Sequence, residues 1–448
     1  MKLSIVGLGK LGSPMAAVMA HKGHTVVGVD VNAEFVKAMQ EGRPPVKEPQ
    51  LAEMITANRE RLSATTDYEE ALLKTDITFI IVPTPSEENG RFSMAYVLKA
   101  AEKIGEVLRK KDWHLVVLSS TVMPGSTDTV LKPALEKISG KKAGEGFGLC
   151  YNPEFIALGS VVRDMLNPDM ILIGESDARS GAILEELYTG VCESNPKIRR
   201  MNYVNAELTK LSVNTYVTTK ISYANMLAQV CETLPGADVD VITAAIGCDT
   251  RIGTKYLKGA LGYGGPCFPR DNRAFSALAR DNGAPALLAE ATDALNNRQV
   301  PRMAEQILAK LPKGGTAGVM GLSYKPYTEV IEQSQGIAIA QKLLEAGVKV
   351  IVYDPEAMNN AKRELSGNVT YASSAAECVR AVDVLAITTP WPEFARISVE
   401  DIRNGPAAVV DCWRMLSPEA RDCVPEYFTL GKGWAAGPHA RQLAAQAD

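Results

Sequence analysis

The chain has 448 residues, 46% of them hydrophobic and 22% charged, with a formal net charge of −4. That balance supports packed cores in two or three domains and excludes a long disordered tract. Interspersed charges of both signs exclude nucleic acid as a main partner, and no stretch reaches the roughly 18 uninterrupted apolar residues that a membrane helix needs.

The opening apolar run stops at Gly7, which is too short for a signal-peptide core and points to a cytoplasmic protein. The first thirty residues read as one β-α-β unit: a strand over 2–6, a glycine turn Gly7-Leu8-Gly9-Lys10-Leu11-Gly12, a helix over 13–21, and a second strand over 25–29 ending in Asp30. This is the dinucleotide fingerprint in its working context. The glycines let backbone approach a pyrophosphate at a helix N-terminus, and the acid accepts from a ribose hydroxyl. A negative Asp30 repels a 2′-phosphate, so NAD is expected rather than NADP.

Buried strands follow at 77–82, 115–119 and 147–151, separated by helices at 95–110 and 127–138. The alternation predicts a parallel, doubly wound sheet. Ligands bind beyond the carboxyl ends of such strands. That rule singles out Val82-Pro83-Thr84-Pro85, Ser120-Thr121-Val122-Met123-Pro124-Gly125 and Asn152-Pro153-Glu154-Phe155.

From 205 to 234 some thirty residues pass without Gly or Pro. A helix of that length, about 45 Å, is expected to bridge domains or to pack against a second subunit. More helical sequence runs over 273–310. After the break Pro312-Lys313-Gly314-Gly315 the opening pattern returns in degenerate form: strand 317–321, helix 337–346, strand 348–354 ending in an acid. The second copy lacks the glycine triplet, so no second NAD is expected there, although another nucleotide remains open. The predicted fold is therefore α/β: two Rossmann-like doubly wound domains joined by a long central helix and a helical dimerisation region. The boundaries fall at 1–200, 201–311 and 312–448.

None of the eight cysteines pairs as Cys-x-x-Cys, and the four histidines lie far from them in sequence, so no metal site is expected. Most of these thiols read as small buried apolar groups. One stands apart, in Gly262-Tyr263-Gly264-Gly265-Pro266-Cys267-Phe268-Pro269-Arg270-Asp271. Glycines before and prolines around Cys267 describe a rigid loop that presents a thiol. A nucleophilic cysteine needs access and nearby positive charge, which Arg270, Lys258 or a lysine of the long helix could supply.

Here the chain resembles the UDP-glucose/GDP-mannose dehydrogenase family, and within it the UDP-glucose 6-dehydrogenases. The likeness runs along almost the whole sequence. It rests on seven collinear motifs: the glycine turn, the three strand-end segments, Lys210-Leu211 with Asn214-Thr215, the cysteine loop, and Gly321-Leu322 with Lys325-Pro326. The resemblance implies two successive oxidations at the sugar C6 by NAD, with Cys267 carrying first a thiohemiacetal and then a thioester. It implies that Lys210 and Asn214 stabilise the oxygen charge at C6. Asp271 and Thr121 would organise a water or proton relay, and Glu154 would serve thioester hydrolysis.

The resemblance further implies NAD contacts at Gly7, Leu8, Gly9, Leu11, Gly12, Asp30, Thr84, Thr121 and Glu154. Sugar-nucleotide contacts fall to Phe155, Lys210, Asn214, Arg251, Tyr256, Lys258, Gly264 and Lys325. Arg251 would reach the neighbouring subunit's site, which makes a homodimer the expected assembly. Three positions depart from the family pattern: Leu158, Glu332 in place of an arginine near the pyrophosphate, and Trp413 in place of an arginine near the sugar nucleotide. They leave open UDP-glucose, another UDP-sugar or GDP-mannose as substrate. A two-electron hydroxyacid dehydrogenase and a non-catalytic nucleotide binder stand as remoter readings.

Overall fold

The structure is a computed structural model that describes residues 1–433. It divides into two compact units: Met1–Val213 with Ala277–Gly283, and Asn214–Ser276 with residues 284–433.

The first unit is built on eight strands: β1 (Lys2–Val6), β2 (Thr25–Val29), β3 (Leu62–Thr65), β4 (Ile77–Ile80), β5 (Leu115–Leu118), β6 (Gly148–Tyr151), β7 (Met170–Glu175) and β8 (Lys197–Met201). Their spatial order is β3-β2-β1-β4-β5-β6-β7-β8. The second unit holds β9 (Thr316–Met320), β10 (Lys349–Tyr353), β11 (Val369–Tyr371), β12 (Val384–Ile387), β13 (Ala408–Asp411) and β14 (Glu426–Thr429), ordered β11-β10-β9-β12-β13-β14. Both sheets thus share the 3-2-1-4-5-6 winding of a dinucleotide fold. The first adds two strands at one edge, and there the expected all-parallel sheet fails, because β6 and β7 pair antiparallel.

Strands such as Leu115–Leu118 and Val384–Ile387 are apolar at every position because both faces are covered. Leu115 and Val117 enter one core layer and Val116 and Leu118 the other.

The central helix spans Tyr203–Thr233, 31 residues without a break. It shows an exposed apolar row at Tyr216, Tyr223, Met226 and Val230. Helical sequence after the cysteine loop resolves into Phe268–Asp281, Leu287–Asn297 and Gln299–Lys310.

The two sheets repeat one backbone device. A Cβ on Gly7 would stand 2.2 Å from the Ile81 carbonyl oxygen, and one on Gly12 only 1.7 Å from that of Gly7. In the second unit Gly321 meets the Thr389 amide at 2.5 Å, and Gly336 meets the Gly321 oxygen at 1.9 Å. The glycine pair missing from the second copy as a sequence motif is therefore present in space. Fourteen residues separate Gly321 from Gly336, against four between Gly7 and Gly12.

Gly12→Ala and Gly336→Ala each force a methyl group into a backbone oxygen. Each is expected to cost roughly 1–3 kcal/mol or more, seen as a lowered thermal unfolding midpoint. Gly9→Ala, whose Cβ meets nothing within 4 Å, leaves that midpoint in place. Equal midpoints for all three would contradict the packing described.

Candidate active site

The glycine turn has the shape a dinucleotide requires. Gly7 and Gly12 are closed in by backbone, whereas Gly9 faces open space. The following helix, Gly12–His21, has no side-chain cap and no acid in its first turn, so its amides and dipole remain available to an anion. Asp30 Oδ2 accepts from Leu8 N at 2.6 Å, which ties the acid at the end of β2 to the turn. These residues fit NAD.

The same places in the second unit are already used. Ser334 caps the helix Gln335–Glu345. Asp354 accepts from Leu322 N, Ser323 N, the Ser323 hydroxyl and the Trp391 indole, as well as from Glu356 N and Ala357 N.

Beyond the strands of the first unit, the first two marked segments hold each other. The Thr84 hydroxyl donates to the Thr121 carbonyl at 2.6 Å, and the Ser120 hydroxyl donates to the Val82 carbonyl at 2.7 Å. Glu207 accepts from Gly125 N at 2.5 Å and from Thr127 N at 2.8 Å, which seats the start of the central helix on the loop carrying Thr121. Burial pushes the Glu207 carboxyl up, against the pull of those hydrogen bonds.

One turn further on, Lys210 is only 8% exposed. Its ammonium donates to the Glu154 carbonyl at 2.7 Å and lies 4.7 Å from the centre of the Phe155 ring. A positive charge held by one carbonyl and one ring face suits an oxyanion.

The Glu154 carboxyl turns inward, where Tyr188 approaches at 3.2 Å. Burial raises it to about 7, against the Lys210 charge and against any hydrogen bond that the Tyr188 hydroxyl donates to it. The side chain keeps some accessible surface, but the carboxyl itself stands among apolar groups. Its nearest cavity, about 10 Å³, is lined by Met15, Met165 and Ile171 among others, room for a single water.

In the second unit Cys267 is exposed. It directly precedes the helix Phe268–Asp281, and its carbonyl accepts from Asp271 N at 2.8 Å. The thiol thus stands at a helix N-terminus, where the dipole favours an anion. Of the cations considered from sequence, Arg270 interacts with it. Burial works against the Arg270 charge, yet Asp271, Cys267 and Glu332 together hold its pKa above the ordinary value. Asp271 is fully buried and accepts from Arg270 Nε at 3.0 Å and from Asn214 Nδ2 at 2.6 Å. Its carboxylate therefore orients the guanidinium and the amide.

Cys248 is exposed as well, so exposure alone does not distinguish Cys267. The loop does. Gly265 N donates to the Glu332 carbonyl at 3.0 Å, and a Cβ on Gly264 would meet the Gln333 oxygen at 2.3 Å. Asn296 pins Tyr263 through both backbone groups, at 2.8 and 3.1 Å.

Among the sugar-nucleotide positions, Tyr256 has a left-handed φ of 64° and packs edge-on to Phe268. Lys258 is exposed, and Lys325 lies 5.9 Å from the Tyr324 ring centre. The Arg251 side chain is 87% exposed and is paired with Asp249 two residues away. Lys220 of the central helix donates to the Ile252 carbonyl beside it at 3.0 Å.

The departures have structural places. Leu158 packs on the first core, and the Trp413 indole donates to the Thr388 carbonyl at 2.8 Å. Glu207, Asn296 and Tyr188 were not assigned roles from sequence. Glu207 stands three residues before Lys210 on the same helix face, a spacing that could have exposed it. Tyr188 and Asn296 carry no local signal.

Comparison with known proteins bears on the same segments. Residues 1–192 match the NAD binding domain of the UDP-glucose/GDP-mannose dehydrogenase family, 204–298 its central domain and 318–418 its UDP binding domain. The chain is 39% identical over 423 residues to UDP-glucose 6-dehydrogenase AglM of Haloferax volcanii, covering 93% of this chain and 97% of that one. It is 31% identical to UDP-glucose 6-dehydrogenase TuaD of Bacillus subtilis, over 90% and 86% of the two chains. A UDP-glucose dehydrogenase structure from Pyrobaculum islandicum superposes with a TM-score of 0.87 at 36% identity, covering 96% of this chain and 98% of that one. Among the described residues no helix is long and apolar enough to cross a membrane. With the glycine turn, the strand-end loops and the cysteine loop all in place, the chain belongs to the UDP-glucose/GDP-mannose dehydrogenase family and is an NAD-dependent nucleotide-sugar dehydrogenase.

Proposed function

We propose that the chain oxidises the C6 alcohol of UDP-glucose to the carboxylate in two steps, through a sugar held covalently on Cys267. The carrying observation is the placement of that thiol: exposed, at a helix N-terminus, and within electrostatic reach of Arg270. The names of the relatives support UDP-glucose as the sugar nucleotide.

NAD, when bound on the Gly7–Gly12 turn with Asp30 at its ribose, supplies the hydride acceptor for each oxidation. The Lys210 ammonium and the Asn214 amide, one helical turn apart, stabilise the oxygen charge at C6. Cys267 sulfur adds to the C6 aldehyde and forms a C–S bond. Loss of a second hydride from that carbon leaves a thioester. Water then adds to the carbonyl and the C–S bond breaks, which returns the thiolate and releases the carboxylate. Thr121 positions that water, Glu154 manages its proton, and Asp271 keeps Arg270 and Asn214 in place. Phe155, Gly264, Tyr256, Lys258 and Lys325 line the sugar-nucleotide path.

We assign residues 1–200 to NAD, 201–311 to the thiol and assembly, and 312–448 to the sugar nucleotide; the matched family domains support this division. A nucleophilic thiol has to stay reduced, which favours the cytoplasm. The exposed row Tyr216, Tyr223, Met226 and Val230 is proposed to pair with a second copy, as contiguous apolar surface on a helix commonly does. Arg251, held only locally, would then serve the partner's site.

With UDP-glucose and excess NAD, two NADH should form per sugar consumed. A single NADH with an aldehyde or ketone product would refute the covalent route, and turnover only with a different sugar nucleotide in a UDP-, GDP-, TDP- and CDP-sugar panel would refute the substrate. Cys267→Ser should lower kcat by about 10³-fold or more; retention within a few-fold would mark the thiol as structural.

Mixing inactive Arg251→Ala with inactive Cys267→Ser tests the shared site. Random exchange in a two-fold dimer makes about a quarter of the sites intact, so activity should return on mixing. Persistent inactivity of a mixture shown to exchange subunits would remove Arg251 from the partner's site.

A further inference from the structure

Four polar groups of the first unit form a chain whose proton positions are determined by counting donors. Asn152 Nδ2 lies 2.9 Å from the Leu172 carbonyl. A carbonyl can only accept, so that atom is the amide nitrogen, and Asn152 Oδ1 must point the other way. Oδ1 also only accepts, and the Tyr188 hydroxyl stands 2.5 Å from it. The hydroxyl has a single proton, and the shorter contact takes it. The other neighbour of the Tyr188 oxygen is Glu154 Oε1 at 3.2 Å. An ionised carboxylate there would set lone pair against lone pair, whereas a protonated one can donate. Asn152 and Tyr188 are both buried, at 1% and 3% exposure, so bulk water does not relieve the conflict.

We infer that Tyr188 is a positioning residue that accepts a hydrogen bond from neutral Glu154, so that Glu154 enters the reaction as an acid and ionises only when the Tyr188 hydroxyl turns away from Asn152. This deepens the proposed reaction and rests on that reading for its catalytic meaning. The network itself does not.

The surroundings agree. The helix Gly12–His21 presents Met15, Val18 and Met19 to the carboxyl, and Met165 and Ile171 complete an apolar wall. The titratable groups within reach are Tyr188, Cys192 and Lys210. Burial raises the Tyr188 hydroxyl well above its ordinary value and the Cys192 thiol to about 11, so both are neutral near pH 7. Lys210 is the charge that opposes protonation. Its ammonium is engaged by the Glu154 backbone carbonyl at 2.7 Å. Deprotonation also costs Asn152 Oδ1 its donor, and that cost passes to Glu154 through the tyrosine.

The test is infrared difference spectroscopy of the full-length enzyme, following the carbonyl stretch of a protonated carboxyl across pH, with Glu154→Gln identifying the band. In the wild type the band should persist to near neutral pH. Tyr188→Phe keeps the ring and removes the acceptor, so the band's midpoint should fall by about one pH unit, a tenfold change in ionisation constant. A midpoint that rises would mean that Tyr188 donates to an ionised Glu154, and one that stays would mean that the contact is inert. Either result overturns the inference.

Asn152→Leu gives an independent check. Releasing the hydroxyl to the carboxylate should also lower the midpoint, whereas a tyrosine already aimed at Glu154 would leave it unmoved. Should the midpoints move as stated while Glu154→Gln retains full turnover, the proton network stands and the catalytic assignment of Glu154 falls.

Discussion

At the cysteine loop two stretches of backbone lie closer than any side chain permits. A Cβ on Gly264 would be 2.3 Å from the Gln333 oxygen, and one on Gly265 would be 2.5 Å from the Tyr324 ring. Gly265 also has φ of +84°, a conformation that glycine adopts at little cost. Its amide donates to the Glu332 carbonyl. With the loop held at that point, Pro266 and Cys267 are delivered to the first turn of the helix Phe268–Asp281, and the thiol inherits the helix N-terminus as surroundings. The chemistry proposed for Cys267 depends on this contact more than on any property of the cysteine itself.

The segment that makes the contact has a second origin. In the first unit the strand–helix turn frames four residues between Gly7 and Gly12 and leaves an open glycine for a ligand. In the second the corresponding glycines frame fourteen residues, and the extra length carries Tyr324, Lys325, Glu332 and Gln333. The helix that follows is capped by Ser334, and the acid at the strand end is enclosed by six donors. The same winding thus supports one turn that fits a dinucleotide and another that holds the cysteine loop. This is a clear case of function residing in loops grafted on a common frame.

The sequence made legible what is local. The strands Lys2–Val6 and Thr25–Val29 follow from apolar runs bounded by glycine and acid. The central helix follows from thirty residues without a breaker, and the thiol from its glycines and prolines. Two further things were not legible, for physical reasons. Antiparallel pairing of β6 with β7 depends on how a short apolar strand docks at a sheet edge, and periodicity does not encode this. The inward turn of Glu154 depends on Tyr188 and Asn152, the first of them 34 residues away. A spacing rule sees Glu154 only as an acid after a strand. Likewise Gly321 and Gly336 fail the fingerprint by spacing while satisfying it in space.

Glu332 shows how a departure from a family pattern is absorbed. A negative charge at a position read as lying near a pyrophosphate would be costly. Here its backbone carbonyl serves the glycine loop and its side chain is exposed, with its charge felt by Arg270. Arg270 therefore answers to two carboxylates as well as lying within reach of Cys267. Asp271 is buried and bonded to it, so it governs the orientation of the guanidinium. Glu332 is solvated, and screening weakens its claim.

The Arg270 charge also reaches Cys267, where the proposed nucleophile would need it. A helix N-terminus stabilises an adjacent anion by about 0.3–1 kcal/mol, reaching about 2 only in favourable cases. Bringing an ordinary thiol from about 8.5 to neutrality takes about 2 kcal/mol. The helix alone falls short of that in most settings, so a nucleophilic Cys267 as proposed would draw on the Arg270 guanidinium as well. The buried Asp271 then matters chiefly because it keeps that guanidinium where the sulfur can use it.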